Sequence, residues 1–227
     1  MSFREKYARI AEHYETLERP LDRYFCPLRR KAISSIEGKR ILEVGVGVGK
    51  TLKYYPRDVE LCGIDAVPGA LEIARRKARE LGLNACFREA DVERLPFPDG
   101  SFDTVVSSFV FCTVPHPEKG MGEIRRVLKP GGRVIFLEHT RSDSRLINYL
   151  FLRPMKLLLK PLLDDDPLRE THKLVKRYFE IEHEESRYAG VVRLIVARKS
   201  GKLSTSLCAR RLRGLGSAGD SGRCFPL

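Results

Sequence analysis

The chain has 227 residues, enough for one α/β domain with a well-buried core. It contains no run of about 18 apolar residues, as a membrane-spanning helix would require, and its N-terminus lacks the apolar stretch of a secretory signal. Its six cysteines show neither a C-x-x-C pair nor a metal-ligand spacing. We therefore expect a cytoplasmic protein with reduced cysteines and no metal.

The formal net charge is +12, which suggests an anionic partner such as nucleic acid or a membrane surface. Residues 1–40 contain 10 Lys and Arg against 6 Asp and Glu, and residues 201–227 contain 5 against 1. The 160 residues between them therefore carry only +4, without a basic stripe interleaved with aromatics. This distribution argues against a nucleic acid partner.

Residues 1–37 are predicted to be helical because apolar side chains recur at spacings of three and four. The residues on this predicted face are Tyr7, Ile10, Ala11 and Tyr14. At the other end, residues 200–227 are rich in Gly, Ser and Arg without a sustained period. We expect this tail to be disordered, and we place one domain over residues 1–199.

From residue 40 onwards, apolar strands alternate with amphipathic helices, which is typical of βαβ units. The predicted strands are 40–45, 59–64, 85–89, 103–109 and 132–138. Between them, the clearest helix begins at Pro68 and ends before Gly82, and another covers 120–128. A turn over 129–132 should lead into the fifth strand, and residues 178–198 predict an antiparallel hairpin around Ala189 and Gly190.

The first strand ends in the sequence Glu43-Val-Gly-Val-Gly-Val-Gly49, which predicts a glycine turn at a ligand-binding edge. A dinucleotide fingerprint would need a third glycine at position 50, where the chain has Lys50. A P-loop ending in Gly49-Lys-Thr51 would need its first glycine at Val44. The spacing is instead [DE]-x-G-x-G-x-G.

Two acidic residues follow the next two strands. Asp65 stands 20 positions after Gly45, where an acid can accept hydrogen bonds from ribose hydroxyls. Asp91 follows the third strand, where a carboxylate could accept from an adenine amine. The alternatives are a helix-capping role for Asp65 and a surface turn for Asp91.

These motifs resemble those of class I S-adenosylmethionine-dependent methyltransferases. The match is strong over 40–139, where a cofactor-binding core is expected, and extends to about residue 199. Within the class, the chain is similar to quinone-biosynthesis, phospholipid N- and membrane-associated thiol methyltransferases. The matching segments are Glu43–Gly49, Gly63–Asp65, Ala90–Asp91, Leu95–Asp103 and Arg125–Gly132.

The resemblance implies an α/β, Rossmann-like, doubly wound sheet of seven mostly parallel strands, with an antiparallel final strand and N-terminal helices. It implies S-adenosyl-L-methionine as cofactor, with 1–37 as a lid and 140–199 as the acceptor side and terminal hairpin. Asp65 would hold the ribose, Asp91 and Val92 the adenine with Ala66 or Val67 packed against it, and Ser108 and Phe109 the methyl side. The methionine part would lie over the glycine turn and its acid, formed by Glu43, Gly45, Gly47 and Gly49.

Few residues are candidates for catalysis, because a methyl group on a sulfonium is already activated and needs mainly to be aligned. His116, after the fourth strand, and His139, after Glu138 at the end of the fifth, could each take a proton from the acceptor. A loop role for His116 is the competing interpretation.

The segment 145–163 carries four basic residues, no acidic ones and otherwise mostly apolar side chains. It predicts either an interfacial helix, broken by Pro154 and Pro161, that contacts a membrane, or a pair of core helices with snorkelling basic residues. The expected acceptor is a small molecule or lipid: a phospholipid headgroup amine, a quinone or a thiol. The protein would then act in the cytoplasm or at the inner face of the membrane. The alternatives are RNA or protein methylation and a non-catalytic cofactor-binding module.

Overall fold

The computed structural model describes residue 20 and residues 23–163 and 165–201. The predicted lid residues Tyr7, Ile10, Ala11 and Tyr14 and the tail from residue 202 lie outside the described residues. The four cysteines among the described residues are free thiols: Cys26, Cys62, Cys86 and Cys112.

Seven strands form one sheet. They are β1 Arg40–Val44, β2 Glu60–Asp65, β3 Ala85–Glu89, β4 Phe102–Ser108, β5 Leu128–His139, β6 Glu180–Arg187 and β7 Val192–Arg198. Their spatial order is β3-β2-β1-β4-β5-β7-β6. β1 to β5 run parallel, whereas β7 lies antiparallel between β5 and β6. This topology confirms the predicted Rossmann-like sheet and its terminal hairpin.

Helices cover both faces of the sheet. They are α1 (residues 23–34), α2 Pro68–Glu80, α3 Pro117–Val127, α4 Arg145–Ile147, α5 Arg153–Leu163 and α6 Thr171–Tyr178. Apolar side chains of α1 and α2 pack against one face of the sheet, and those of α3 and α6 against the other. The carboxyl ends of β1, β2, β4 and β5 are therefore left at one edge of a doubly wound sheet, where ligands bind.

The predicted turn at 129–132 was wrong, because the chain stays in the sheet there. Gly131 takes a φ of 70°, and the register between β4 and β5 shifts after Phe102. The backbone N–H of Gly131 donates to the carbonyl of Lys199, and the N–H of Lys199 donates to that of Gly132. Leu128 in turn pairs with Phe102 of β4, so β5 begins at Leu128.

The prediction that prolines break the segment 145–163 was also wrong. The segment is helical throughout, with a π-helical stretch at Asn148–Leu152 between α4 and α5. A π-turn widens the backbone spacing just before Pro154, a residue that cannot donate a backbone hydrogen bond. Pro161 lies inside α5. Within the described part of the chain, no helix is long and apolar enough to cross a membrane.

Candidate active site

The glycine turn after β1 has backbone angles that residues other than glycine adopt only with strain. Gly45, Gly47 and Gly49 have φ values of 63°, 52° and 76°. A Cβ on Gly45 would lie 2.3 Å from Cγ2 of Val110, and one on Gly49 would lie 2.5 Å from Cδ1 of Leu52. The turn therefore needs glycine for its conformation and for its close packing.

Asp65, at the end of β2, is bonded to this turn. Its Oδ2 accepts a hydrogen bond of 2.8 Å from the N–H of Gly47, and its Oδ1 accepts one of 2.9 Å from the N–H of Val67. Burial raises the pKa of Asp65, and these backbone donors act in the opposite direction. The carboxylate is half-buried and lines a cavity of about 410 Å³ at the edge of the sheet.

Glu43 lies deeper in the same cavity and is only 1% exposed. The hydroxyl of Thr51 donates to it, at 2.6 Å from Oε1 and 2.9 Å from Oε2. Burial, only partly offset by this bond, raises the pKa of Glu43 to about 7. The carboxyl group therefore takes up a proton at a higher pH than an exposed glutamate does.

The residues expected around an adenine also line the cavity. Ala66, Asp91 and Val92 all contribute to its wall. Oδ1 of Asp91 accepts from the N–H of Glu93 at 2.9 Å, so this residue shapes a surface turn as well. The exposed carboxylate of Asp91 thus both shapes the turn and lines the cavity.

Phe109 lies on the other side of the cavity and has a φ of 58°. Its ring centroid is 4.4 Å from that of His139 and 5.0 Å from that of Phe25 on α1. Its N–H donates to the carbonyl of Leu137 at 2.7 Å. The neighbouring Ser108 also lines the cavity. A strained residue of this kind persists only where the surrounding contacts hold it.

Glu138 supplies much of that support. Its fully buried carboxylate accepts from the hydroxyl of Ser107 at 2.7 Å and from the N–H groups of Val110 and Phe111, each at 3.1 Å. Burial raises its pKa to about 7. Glu138 does not line the cavity; it positions the turn after β4 that does.

The two histidine candidates are separated by the fold. His139 lines the cavity, whereas His116 precedes α3 outside it and donates its backbone N–H to Oε1 of Glu93 at 2.7 Å. His116 therefore does not border the cavity in this structure. Gly49 also lies outside the lining and shapes the turn from behind.

Sequence reasoning missed several residues of the cavity wall: Arg29, Thr51, Cys112, Thr113 and Asp165. Arg29 is 4% exposed, and its guanidinium carbon lies 5.5 Å from the ring centroid of Phe109. Only Thr51 had a local signal, since it follows the glycine turn directly. The others come from helix and loop positions without a motif.

The cavity fits S-adenosylmethionine. Its volume lies within the range of about 300–1,000 Å³ usual for small-ligand sites. It combines a floor without side chains at Gly45 and Gly47, accepting carboxylates at Asp65 and Asp91, and a buried acid, Glu43, suited to a cationic group. Together with the sheet order, this arrangement defines a class I S-adenosylmethionine-dependent methyltransferase fold.

A comparison with known protein families agrees with this fold. Residues 42–136 match the family described as a methyltransferase domain. Residues 42–136 therefore form a methyltransferase domain, in agreement with the fold and the cavity.

The chain also resembles named bacterial members of this family. It is 42% identical over 121 residues to phosphatidylethanolamine N-methyltransferase of Cereibacter sphaeroides, covering 52% of this chain and 60% of that protein. It is 43% identical over 140 residues to demethylmenaquinone methyltransferase of Thermus thermophilus, covering 58% and 63%. With the ubiquinone/menaquinone biosynthesis C-methyltransferase of Geobacter sulfurreducens it shares 33% over 172 residues, covering 68% and 66%. The chain thus spans somewhat under two thirds of the length of these relatives.

Solved structures show the same fold. An S-adenosylmethionine-dependent methyltransferase from Thermotoga maritima superposes with a TM-score of 0.65 at 22% identity, covering 86% of this chain and 99% of that one. The [4+2]-cyclase SpnF superposes with a TM-score of 0.61, also at 22% identity, covering 77% and 79%. Since a cyclase shares the fold, the fold alone does not determine the reaction.

Proposed function

We propose that this protein transfers a methyl group from S-adenosylmethionine to a small or amphiphilic acceptor that it reaches at a membrane surface. The proposal rests on two features of the structure that lie side by side. A cavity suited to the cofactor adjoins an exposed, apolar and basic helical segment. The names of the relatives include a phospholipid amine and quinones as acceptors, which agrees with an amphiphilic substrate.

The cofactor supplies a methyl group on a positively charged sulfur, so the residues of the chain mainly bind and orient. In our proposal Asp65 accepts from the ribose hydroxyls and Asp91 from the adenine amine. Phe109 and His139 form the wall beside the methyl group. His139 lines the cavity and can take a proton when the acceptor must lose one.

Segment 145–163 exposes most of its large apolar side chains. Phe151 is 66% exposed and Leu157 is 80% exposed. The other exposed ones are Leu146, Tyr149, Leu150, Met155 and Leu158. The two buried side chains recorded in the segment are Asn148 and Leu152, which argues against the alternative of two core helices. A surface of this composition with four basic residues suits the interface of an anionic membrane.

The same segment is tied to the cavity. Lys156 pairs with Asp166 at 2.7 Å, just beyond the end of α5. The N–H of Asp166 donates to the carbonyl of Cys112 in the cavity wall at 3.1 Å. An acceptor held at the membrane interface by segment 145–163 would therefore lie beside the cavity.

Incubation with labelled S-adenosylmethionine tests the reaction. We expect label in lipid extract, quinone precursors or small thiols. Label in RNA or protein alone would contradict the proposal and favour macromolecular methylation. Label in no acceptor, with cofactor binding intact by calorimetry, would favour the non-catalytic binding module.

Co-sedimentation with vesicles tests the membrane contact. The double variant Phe151→Ser/Leu157→Ser should bind anionic vesicles less, and Lys160→Glu should weaken binding most at low salt. Lys156 is left unchanged because it pairs with Asp166. The matched control is Tyr188→Ser, which changes a side chain 50% exposed on the β6–β7 hairpin. Undiminished sedimentation of the double variant would rule out this surface.

A further inference from the structure

The loop after α5 brings a carboxylate into the cavity. Asp165 lines the cavity wall, whereas Asp166 does not. The loop is fastened at two points: the N–H of Asp166 donates to the carbonyl of Cys112, and the guanidinium of Arg169 donates to two carbonyls of the turn at 111–114. Asp165 is therefore held in position by tertiary contacts with the turn that follows β4.

One oxygen of this carboxylate has no donor. Oδ1 of Asp165 is buried and has no hydrogen-bond partner among the described residues. The thiol of Cys112 donates its proton to the carbonyl of Phe109 at 3.6 Å. Burial, then the charges of Asp165 and Glu138, and a hydrogen bond with the Asp165 carboxylate raise the pKa of Cys112 well above its usual value, so the thiol stays neutral while Oδ1 of Asp165 remains without a donor. A buried acceptor without a donor is unfavourable, and a ligand donor placed there would relieve that cost.

Asp165 lies on the acceptor side. It is close enough to Glu138, at the end of β5, to raise the pKa of that residue. The ends of β4 and β5 carry Phe109 and His139, on the side of the cavity opposite Asp65. A donor that reaches Oδ1 of Asp165 would therefore come from the acceptor and not from the ribose or adenine of the cofactor.

The negative charge of Asp165 at the acceptor side of the cavity distinguishes among classes of acceptor. When an amine is methylated, its lone pair forms the new N–C bond and the C–S electron pair goes to sulfur. The positive charge thereby moves to nitrogen, which later loses a proton to water or to His139. A partly buried carboxylate beside the nitrogen stabilises that developing charge. A thiolate or phenolate acceptor is negative, and Asp165 would repel it; the guanidinium of Arg29, also in the cavity wall, lies against the Phe109 ring.

We propose that Asp165 accepts a hydrogen bond from the amino group of the acceptor, and that the acceptor is the primary amine of an amphiphile. This inference rests on the proposed methyl transfer and narrows its substrate class. Asp165 is thus a specificity-determining residue for an amine and against quinols and thiols.

The test compares the full-length protein with Asp165→Asn and Asp165→Glu on three acceptors. These are vesicles that contain phosphatidylethanolamine, a demethylated menaquinol in detergent, and an alkyl thiol. We expect the wild-type protein to label the amine lipid with the highest kcat/KM. Asp165→Asn should lower that value about thirtyfold or more, as expected for loss of a buried charge partner. Cofactor affinity should change less than about twofold, and Asp165→Glu should restore part of the activity.

The control variant is Asp58→Asn, which removes an exposed carboxylate that does not line the cavity and should leave the preference among the three acceptors unchanged. Three results would overturn the inference. Preferred labelling of the quinol or thiol would do so while leaving the proposed methyl transfer standing. A parallel loss of cofactor affinity in Asp165→Asn would assign Asp165 to the cofactor. Absence of label from all acceptors, with cofactor still bound, would remove the proposed function and the inference together.

Discussion

The backbone N–H of Gly47 donates a hydrogen bond of 2.8 Å to Oδ2 of Asp65. It joins the glycine turn after β1 to the end of β2, and it places a half-buried carboxylate on the cavity. The acid and the turn therefore act as one unit in building the cofactor end of the site.

Asp65→Ala should weaken S-adenosylmethionine binding about tenfold or more. It removes a carboxylate whose charged hydrogen bonds are worth roughly 1.5–3 kcal/mol. Isothermal titration calorimetry measures the change. Asp58→Ala is the control, because Asp58 is an exposed acid that pairs only with Lys39 in the described structure. Equal affinities of the Asp65 variant and the wild type would remove Asp65 from the cofactor site.

Gly45→Ala should destabilise the protein and impair cofactor binding. The new Cβ would meet Val110 at 2.3 Å, and the φ of 63° is unfavourable for alanine by about 1–2 kcal/mol even without that contact. Urea denaturation measures the loss. Gly122→Ala in α3 is the matched control, since a Cβ there meets no atom within 4 Å, and it should stabilise by about 0.5–1 kcal/mol. A Gly45 variant as stable as the wild type would show that the turn tolerates a side chain.

Cofactor binding should release protons near pH 7. The pKa of Glu43 is raised to about 7 by burial, so a sizeable fraction of the free protein carries a proton there. A cationic ligand in the cavity would lower that pKa and expel the proton. Calorimetry in buffers of different ionisation enthalpy measures the release. The proton release should be absent in the Glu43→Gln variant. If that variant releases the same number of protons on binding, another group supplies them.

Glu138 should make the stability of the protein depend on pH. Burial raises its pKa to about 7 in the folded state, above the ordinary value of 4.5. The folded state therefore binds the proton more tightly, and stability falls as pH rises from about 4.5 to about 7, by up to about 1.4 kcal/mol per pH unit. Urea denaturation of the wild type and Glu138→Gln should diverge over this window. Parallel pH profiles would contradict the assignment.

The alternation of strands and helices was predicted correctly because it depends on local periodicity. Strands 85–89 and the hairpin at 178–198 agree closely with β3, β6 and β7. The turn at 129–132 was predicted incorrectly because the bonds that keep it in the sheet come from Lys199, far along the chain. The effect of the prolines in segment 145–163 was also predicted incorrectly, because a π-turn accommodates Pro154 within a continuous helix.

The sequence by itself predicted the sheet and brought the glycine turn, Asp65 and Asp91 to one cavity. The glycine spacing, Asp65 and Asp91 lie at strand ends, and parallel strands bring those ends to one edge in any fold of this topology. Which histidine borders the cavity was decided only by tertiary structure, since His116 and His139 both follow strands. The same holds for Asp165 and Asp166: the fastening of their loop to Cys112 and the turn at 111–114 sets which of these two carboxylates lines the cavity. Local pattern fixes the elements, but long-range hydrogen bonds orient the side chains that line the cavity.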